Sequence, residues 1–193
     1  CDIGLTAIAF ETVADGGNLP ILQPMSEIAG RIAVQVGTHL LHTPQGGEGI
    51  LLGGVPGVER GEVVVLGAGH AGGSSARLAA SMGANVTVFD LNPQRLTELQ
   101  TAAPNISTRY ANHDDIREAV SRADLLIGAV LLPGANAPRL VSEQDVANMK
   151  NGSVVVDIAV DQGGCIETTR ATSYDAPTYE VHGVTHFCVT NMP

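Results

Sequence analysis

A glycine pattern in the first half of the chain constrains its fold more than any other feature. The pattern G-x-G-x-x-G, at Gly67, Gly69 and Gly72, follows the apolar run 63–66 directly and opens a helical segment. The first glycine permits a tight strand-to-helix turn, the second lets a ligand approach the main chain, and the third lets the helix pack closely on the strand. This context predicts a binding site for the diphosphate of a dinucleotide. The alternative is a glycine-rich turn with a purely structural role.

Apolar segments alternate with helical segments along most of the chain. The apolar segments lack polar alternation, which is typical of parallel strands covered by helices on both faces. The predicted strands are residues 4–10, 62–66, 85–89, 106–110, 124–130, 153–158 and 184–189. The predicted helices are residues 26–41, with Ser26 as N-cap, 71–82, 93–101, 115–121 and 142–149. The chain is therefore predicted to have an α/β fold of the Rossmann type, a doubly wound, mostly parallel sheet with helices on both faces.

The length of 193 residues suits one medium domain. Residues 1–60 are predicted to form an initial strand, a helix and a Gly-rich connection, and residues 61–193 the dinucleotide-binding core. The chain starts with Cys1 instead of Met, and we expect it to be an excised part of a longer, two-domain enzyme.

The formal charge of −10 argues against nucleic acid and against an anionic membrane surface as partners. No apolar run reaches the ~18 residues of a membrane span. The three cysteines, Cys1, Cys165 and Cys188, include no CxxC pair, which favours reduced thiols and a cytoplasmic location. His39 and His42 are the only histidines at a ligand-like spacing and have no cysteine nearby, so no metal site is predicted.

Asp90 ends the strand that follows the glycine turn, residues 67–72. An acidic residue at this strand end is placed to accept hydrogen bonds from the ribose hydroxyls of the adenosine half, and it would repel a 2′-phosphate. The sequence therefore predicts NAD as the cofactor in preference to NADP. A solvated strand-end Asp is the simpler alternative. Arg95, one turn into the next helix, could help to bind a 2′-phosphate, and a role on the helix surface is the simpler alternative for it.

Several segments together carry a resemblance to a known family. They are residues 24–31 (PMSEIAGR), 52–58 (LGGVPGV), the glycine turn, 127–135 (IGAVLLPGA), 156–164 (VDIAVDQGG) and 190–193 (TNMP). In this combination, and over essentially the whole chain, the sequence resembles the L-alanine dehydrogenase family. The related proton-translocating transhydrogenase α-subunit shares part of the same pattern.

The resemblance implies a reversible oxidative deamination, in which L-alanine, NAD and water give pyruvate, ammonium and NADH. It also implies a two-domain enzyme with NAD in the cleft, usually a hexamer or another homo-oligomer. The chain matches the NAD-binding domain, and the family's substrate-binding lysine, arginine and histidine have no counterparts in it. The alternatives are a component of a proton-translocating transhydrogenase and a non-catalytic NAD sensor.

The resemblance also assigns site residues. Asp161 matches the family aspartate beside the nicotinamide ribose and the reacting carbon, which makes it the predicted catalytic residue. Ser26 matches a serine near the cofactor diphosphate. The other predicted cofactor contacts are Ala68, His70 and Ala71 of the glycine turn, Asn112, Val130, Leu131, Ile158, Val189, Asn191 and Met192.

Simpler roles remain open for Ser26, Asp161 and His70. Ser26 can serve as a helix cap alone, and Asp161 can cap a turn. His70 stands where the family has a small or β-branched residue; a protonated imidazole there would help to bind phosphate, whereas a neutral one would only be exposed. Asn112 follows the third strand of the core and is assigned to the adenine side.

Overall fold

A computed structural model describes residues 19–130 and 137–192, with residues 4, 6, 8, 9 and 13–16 before them. In the predicted strand at residues 4–10, residues 5, 7 and 10 fall outside the described residues, and the described residues 4, 6, 8 and 9 are not in a strand. Leu131 also falls outside the described residues. Among the residues that are described, no helix is both long and apolar enough to cross a lipid bilayer.

The chain forms seven strands and five α-helices in the described residues. The strands are β1 Glu62–Leu66, β2 Asn85–Asp90, β3 Ile106–Tyr110, β4 Leu125–Gly128, β5 Val154–Asp157, β6 Thr178–Val181 and β7 Val184–Phe187. The helices are α1 Leu22–Leu40, α2 His70–Ser81, α3 Pro93–Gln100, α4 His113–Arg122 and α5 Glu143–Ala147, with short 3₁₀ helices at Thr43–Gln45 and Ile158–Gln162.

The seven strands make one sheet in the order β3-β2-β1-β4-β5-β7-β6, parallel except for the β6–β7 pair. The doubly wound, mostly parallel sheet predicted from the sequence is confirmed. Successive residues of β1 enter opposite cores: Val63 and Val65 pack in the cluster that includes α1 and α2, whereas Val64 and Leu66 pack in the cluster that includes α4. A strand covered on both faces needs an apolar residue at every position, which explains the continuous run.

The N-terminal boundary of α1 differs from the prediction. The helix begins at Leu22 with Ile21 as its N-cap, and no side chain caps it. Ser26 lies in the second turn, so its predicted role as N-cap is wrong. The reason is Pro24: within the first helical turn a proline's missing N–H costs no hydrogen bond, so the helix can start before it.

Strand β6 is absent from the prediction. It pairs antiparallel with β7 through the two-residue turn of His182 and Gly183, whose φ values are +54° and +76°. Two consecutive positive φ values match the hairpin turn that usually contains Asn-Gly or Asp-Gly. The histidine in the first turn position hides that signal in the sequence.

Candidate functional site

The glycine turn lies at the carboxyl edge of the sheet, between β1 and α2. Here β1 has β2 on one side and β4 on the other, so the order of the strands reverses at β1. Open α/β sheets bind ligands in the crevice at such a reversal of strand order.

Two of the three glycines are required by close main-chain contacts. Gly67 has a φ of +101°, and a Cβ there would lie 2.6 Å from the carbonyl oxygen of Ala129. A Cβ on Gly72 would lie 1.8 Å from the carbonyl oxygen of Gly67. A side chain at Gly67 would push the glycine turn away from the residues that follow β4, and a side chain at Gly72 would push α2 away from the turn.

Gly69 is different, because a Cβ there would meet only the Arg95 guanidinium, at 4.0 Å. Gly69 is also the N-cap of α2, and its carbonyl accepts the first helical bond, from the N–H of Gly73. The N–H groups of the first helical turn precede that bond and have no partner inside the helix. The open space at Gly69 and these donors together form a cradle that suits an anion.

Asp90 connects the end of β2 to the glycine turn. Its Oδ2 accepts the N–H of Ala68 at 2.5 Å, and its Oδ1 accepts the N–H of Asn92 at 2.7 Å. Each carboxylate oxygen has a further lone pair, so Asp90 can support the turn and still accept from a ligand hydroxyl.

Two pockets flank the N-terminus of α2. The polar pocket has a volume of about 440 Å³ and includes Ala68, Gly69 and His70. Polar and charged side chains that the sequence analysis did not assign also line it: Glu27, Ser74, Arg77, Asn92, Gln94 and Glu98. Arg95, considered there only for a 2′-phosphate, lines it as well.

The second pocket, which we call the apolar pocket, has a volume of about 430 Å³ and brings together residues from distant parts of the chain. Eight predicted residues line it: Ser26, Ala71, Val130, Ile158, Asp161, Val189, Asn191 and Met192. Leu22, Met25 and Ala29, which the prediction missed, line it from α1. Their spacing of three and four residues places them on one helical face, a periodicity that would have identified them.

Gln162 also lines the apolar pocket, next to Asp161. Among the described residues, its Oε1 is buried and has no hydrogen-bond partner. Buried polar atoms are normally paired, so this acceptor is available to a ligand in the pocket.

Asn112 lies outside both pockets. It is the N-cap of α4, where its Oδ1 accepts the N–H of Asp115 at 2.9 Å and its Nδ2 donates to the Asp115 carboxylate at 2.6 Å. Its contact with a cofactor stays a prediction.

No group of three or more His, Cys, Asp or Glu side chains in residues 19–130 and 137–192 is arranged to hold a metal ion.

Comparison with known proteins gives a consistent result. A family model described as "Alanine dehydrogenase/PNT, C-terminal domain" matches residues 33–193. The chain is 57% identical over 195 residues to an alanine dehydrogenase of Mycobacterium tuberculosis, covering 100% of this chain and 52% of that protein.

Two solved structures are similar to the fold. An L-alanine dehydrogenase superposes with a TM-score of 0.94 at 54% identity, over 100% of this chain and 54% of that one. A transhydrogenase from Sinorhizobium meliloti superposes with a TM-score of 0.74 at 29% identity, over 88% and 48%. The chain spans about half the length of these relatives. The chain belongs to the alanine dehydrogenase/PNT family, whose C-terminal-domain model its residues 33–193 match.

Proposed function

We propose that this chain is the NAD-binding domain of an L-alanine dehydrogenase, which converts L-alanine, NAD and water reversibly to pyruvate, ammonium and NADH. The observation that carries the proposal is the pair of pockets on either side of the glycine turn, each above 400 Å³. A dinucleotide has two nucleoside halves joined by a diphosphate, and the turn with two flanking pockets matches that division. Similarity to alanine dehydrogenases over the whole chain supports the same conclusion.

The residues fit NAD in each part of the site. The open main chain at Gly69 and the first N–H groups of α2 would hold the diphosphate. The second lone pairs of the Asp90 carboxylate would accept from the adenosine ribose hydroxyls and repel a 2′-phosphate. The apolar pocket, with Ile158, Val189 and Met192, would hold the nicotinamide half.

When bound, NAD supplies hydride acceptance at its nicotinamide ring. Binding and positioning of the substrate would fall to side chains of the apolar pocket. The part of the relatives that this chain does not cover would contribute the other substrate-binding residues. Asp161 lines that pocket, where a carboxylate can hold the amino group of the substrate or orient a water molecule. Apolar neighbours exclude other water and keep the reacting atoms aligned.

We further propose that the protein forms a homo-oligomer, a hexamer by resemblance, and that it is located in the cytoplasm.

A transhydrogenase component is the second candidate, because the Sinorhizobium meliloti transhydrogenase shares the fold at 29% identity. The alanine dehydrogenase relatives are about twice as similar in sequence, at 54% and 57%, which favours the first candidate. Both candidates require the same diphosphate cradle. They differ in whether an amino acid is needed for turnover.

One set of assays separates the candidates. NAD binding to the protein that carries this chain is measured by calorimetry, and NADH formation is followed with a panel of L-amino acids. The proposal expects binding of NAD and turnover with L-alanine. Hydride transfer between NADH and an NADP analogue without any amino acid would indicate a transhydrogenase, and NAD binding without turnover on any amino or keto acid would indicate a sensor.

A further inference from the structure

Asp157 is a buried carboxylate to which the proposed reaction assigns no role. It ends β5, and its exposed fraction is 0%. Its Oδ1 accepts the N–H of Ala159 at 3.0 Å, and its Oδ2 accepts the N–H of Cys165 at 3.1 Å and the hydroxyl of Thr169 at 2.7 Å. All of its hydrogen-bond donors in the described part of the chain are uncharged. Burial raises the pKa of Asp157 in spite of these donors.

The hydrogen bonds of Asp157 close a loop. The loop consists of residues 158–165, and Asp157 holds both ends of it, near the start at Ala159 and at the end at Cys165. Between these anchors the chain forms the 3₁₀ helix Ile158–Gln162 and returns through Gly163 and Gly164, with φ values of +90° and +71°. Asp161 lies in the middle of this loop and lines the apolar pocket.

Two glycines lie close to the Asp157 carboxylate. A Cβ on Gly128, in the neighbouring strand β4, would lie 2.8 Å from Oδ1 of Asp157 and 2.6 Å from the Cys165 sulfur. A Cβ on Gly164 would lie 2.8 Å from Oδ2 of Asp157. A side chain at either glycine would therefore take space that the Asp157 carboxylate now occupies.

We propose that Asp157 is a positioning residue for Asp161: by tying both ends of the 158–165 loop to β5, it holds the Asp161 carboxylate at the apolar pocket. The inference rests on the proposed function, since it assigns Asp161 to the reaction. Displacement of a reacting group by about 1 Å can cost about 100-fold in rate. The glycine turn is held separately, by α2 and Asp90, so the diphosphate cradle should be unaffected. Ile158 of the same loop lines the pocket proposed for the nicotinamide half, so NAD affinity should weaken slightly, but by much less than turnover falls.

Two sets of variants test this role in the protein that carries the chain. Asp157→Asn keeps the size of the side chain, but both carboxylate oxygens accept main-chain N–H groups, so either orientation of the amide sets a donor against a donor. Thr169→Val removes one hydroxyl donor at nearly constant shape, and Thr169→Ser, its matched control, keeps that hydroxyl.

Three measurements are made on each variant: kcat for L-alanine oxidation, the Kd for NAD, and hydrogen exchange of the amides in the 158–165 loop. For Asp157→Asn we expect kcat to fall about 10- to 100-fold, loop exchange to accelerate, and the Kd to change less than about threefold. Thr169→Val should change the same quantities in the same direction but less, and Thr169→Ser should restore wild-type values.

Wild-type kcat and loop exchange in both Asp157→Asn and Thr169→Val would overturn the inference. A Kd that weakens as much as kcat falls would also overturn it, because that result indicates a general loss of structure. If Asp157→Asn does not fold, the comparison of Thr169→Val with Thr169→Ser decides. A wild-type protein that binds no NAD or does not oxidise alanine would refute the proposed function, whereas loop exchange would still report whether Asp157 anchors the loop.

Discussion

The main-chain N–H of Ala68 donates a 2.5 Å hydrogen bond to Oδ2 of Asp90, 22 residues further along the chain. The sequence predicted a separate cofactor contact for each residue. The structure joins them, so the carboxylate proposed to select NAD also supports the turn proposed to bind the diphosphate. A substitution at Asp90 should therefore affect both the affinity for the cofactor and the choice between cofactors.

Asp90→Asn should weaken NAD binding and shift the preference toward NADP. Loss of a charged acceptor for the Ala68 N–H should weaken the free energy of NAD binding by about 1–3 kcal/mol. Removal of the negative charge also relieves repulsion of a 2′-phosphate, so the ratio of NADP to NAD affinity should rise about tenfold or more. Calorimetric titration with both nucleotides measures the ratio. The control is Asp114→Asn, whose side chain is 93% exposed on α4, and an unchanged ratio in Asp90→Asn would count against cofactor selection by Asp90.

Gly72→Ala and Gly73→Ala should behave oppositely although the residues are neighbours. The new methyl group at Gly72 would lie 1.8 Å from the Gly67 carbonyl oxygen, whereas at Gly73 its nearest neighbour is the flexible Arg77 guanidinium at 3.2 Å. We expect Gly72→Ala to cost about 3 kcal/mol or more of unfolding free energy. Gly73→Ala should stay within about 1 kcal/mol of the wild type, because alanine favours a helix. Urea unfolding of both variants measures the difference, and equal stabilities would be incompatible with the close approach of α2 to β1.

Asp161→Asn should remove most alanine oxidation while NAD binding is kept. The side chain lines the apolar pocket and makes no contact with the glycine turn's polar pocket, so the diphosphate cradle is unaffected. Loss of the carboxylate that would hold the substrate amino group or orient a water molecule should lower kcat by about 100-fold or more. Steady-state kinetics with L-alanine and a parallel NAD titration give the two quantities. Wild-type kcat in this variant would exclude Asp161 from the reaction.

His186 should make the fold less stable as the pH falls below neutrality. The side chain is buried, its Nδ1 and Nε2 lie 2.9 Å from the Val184 carbonyl oxygen and 2.8 Å from the Thr168 hydroxyl, and burial lowers its pKa from the ordinary value of 6.5. The unfolded chain therefore binds the proton at a higher pH than the folded one. Stability is lost as the pH drops through 6.5 toward the folded-state pKa, by up to about 1.4 kcal/mol per pH unit.

Urea unfolding at several pH values between 7.5 and 5.5 tests this expectation for His186. His186→Gln should lose stability at every pH but show a smaller dependence on pH over that range. His113→Gln, at an exposed position on α4, is the control and should keep the wild-type dependence. If His186→Gln also kept the wild-type pH dependence, the titration of another group would be responsible for that dependence.

The elements that were predicted best are those with the strongest local signal. The bounds of β1 and β3 agree with the prediction, and the glycine turn sits where its pattern indicated. The start of α1 was wrong because a proline in the first helical turn resembles a helix breaker when only its neighbours are considered. Strand β6 was missed because its hairpin turn uses histidine in a position that usually holds Asn, Asp or Gly.

The family motifs predicted eight residues of the apolar pocket, but the reason for their convergence is tertiary. Ser26 and Met192 are separated by most of the chain, and they line one cavity because α1 packs beside the carboxyl edge of the sheet. The buried role of Asp157 was not identifiable from its neighbours, since a strand-end Asp is usually solvated. Its partners Cys165 and Thr169 are brought to it by the return of a loop.

Hydrophobic continuity and glycine placement act over a few residues, so the linear order of amino acids was enough for the parallel sheet and for the glycine turn. Folding alone decided which side chains share a pocket, which carboxylate supports the turn, and which one anchors the 158–165 loop. Those relationships depend on contacts between segments far apart in the chain, and a hydrogen bond between such segments leaves no periodic trace in either of them.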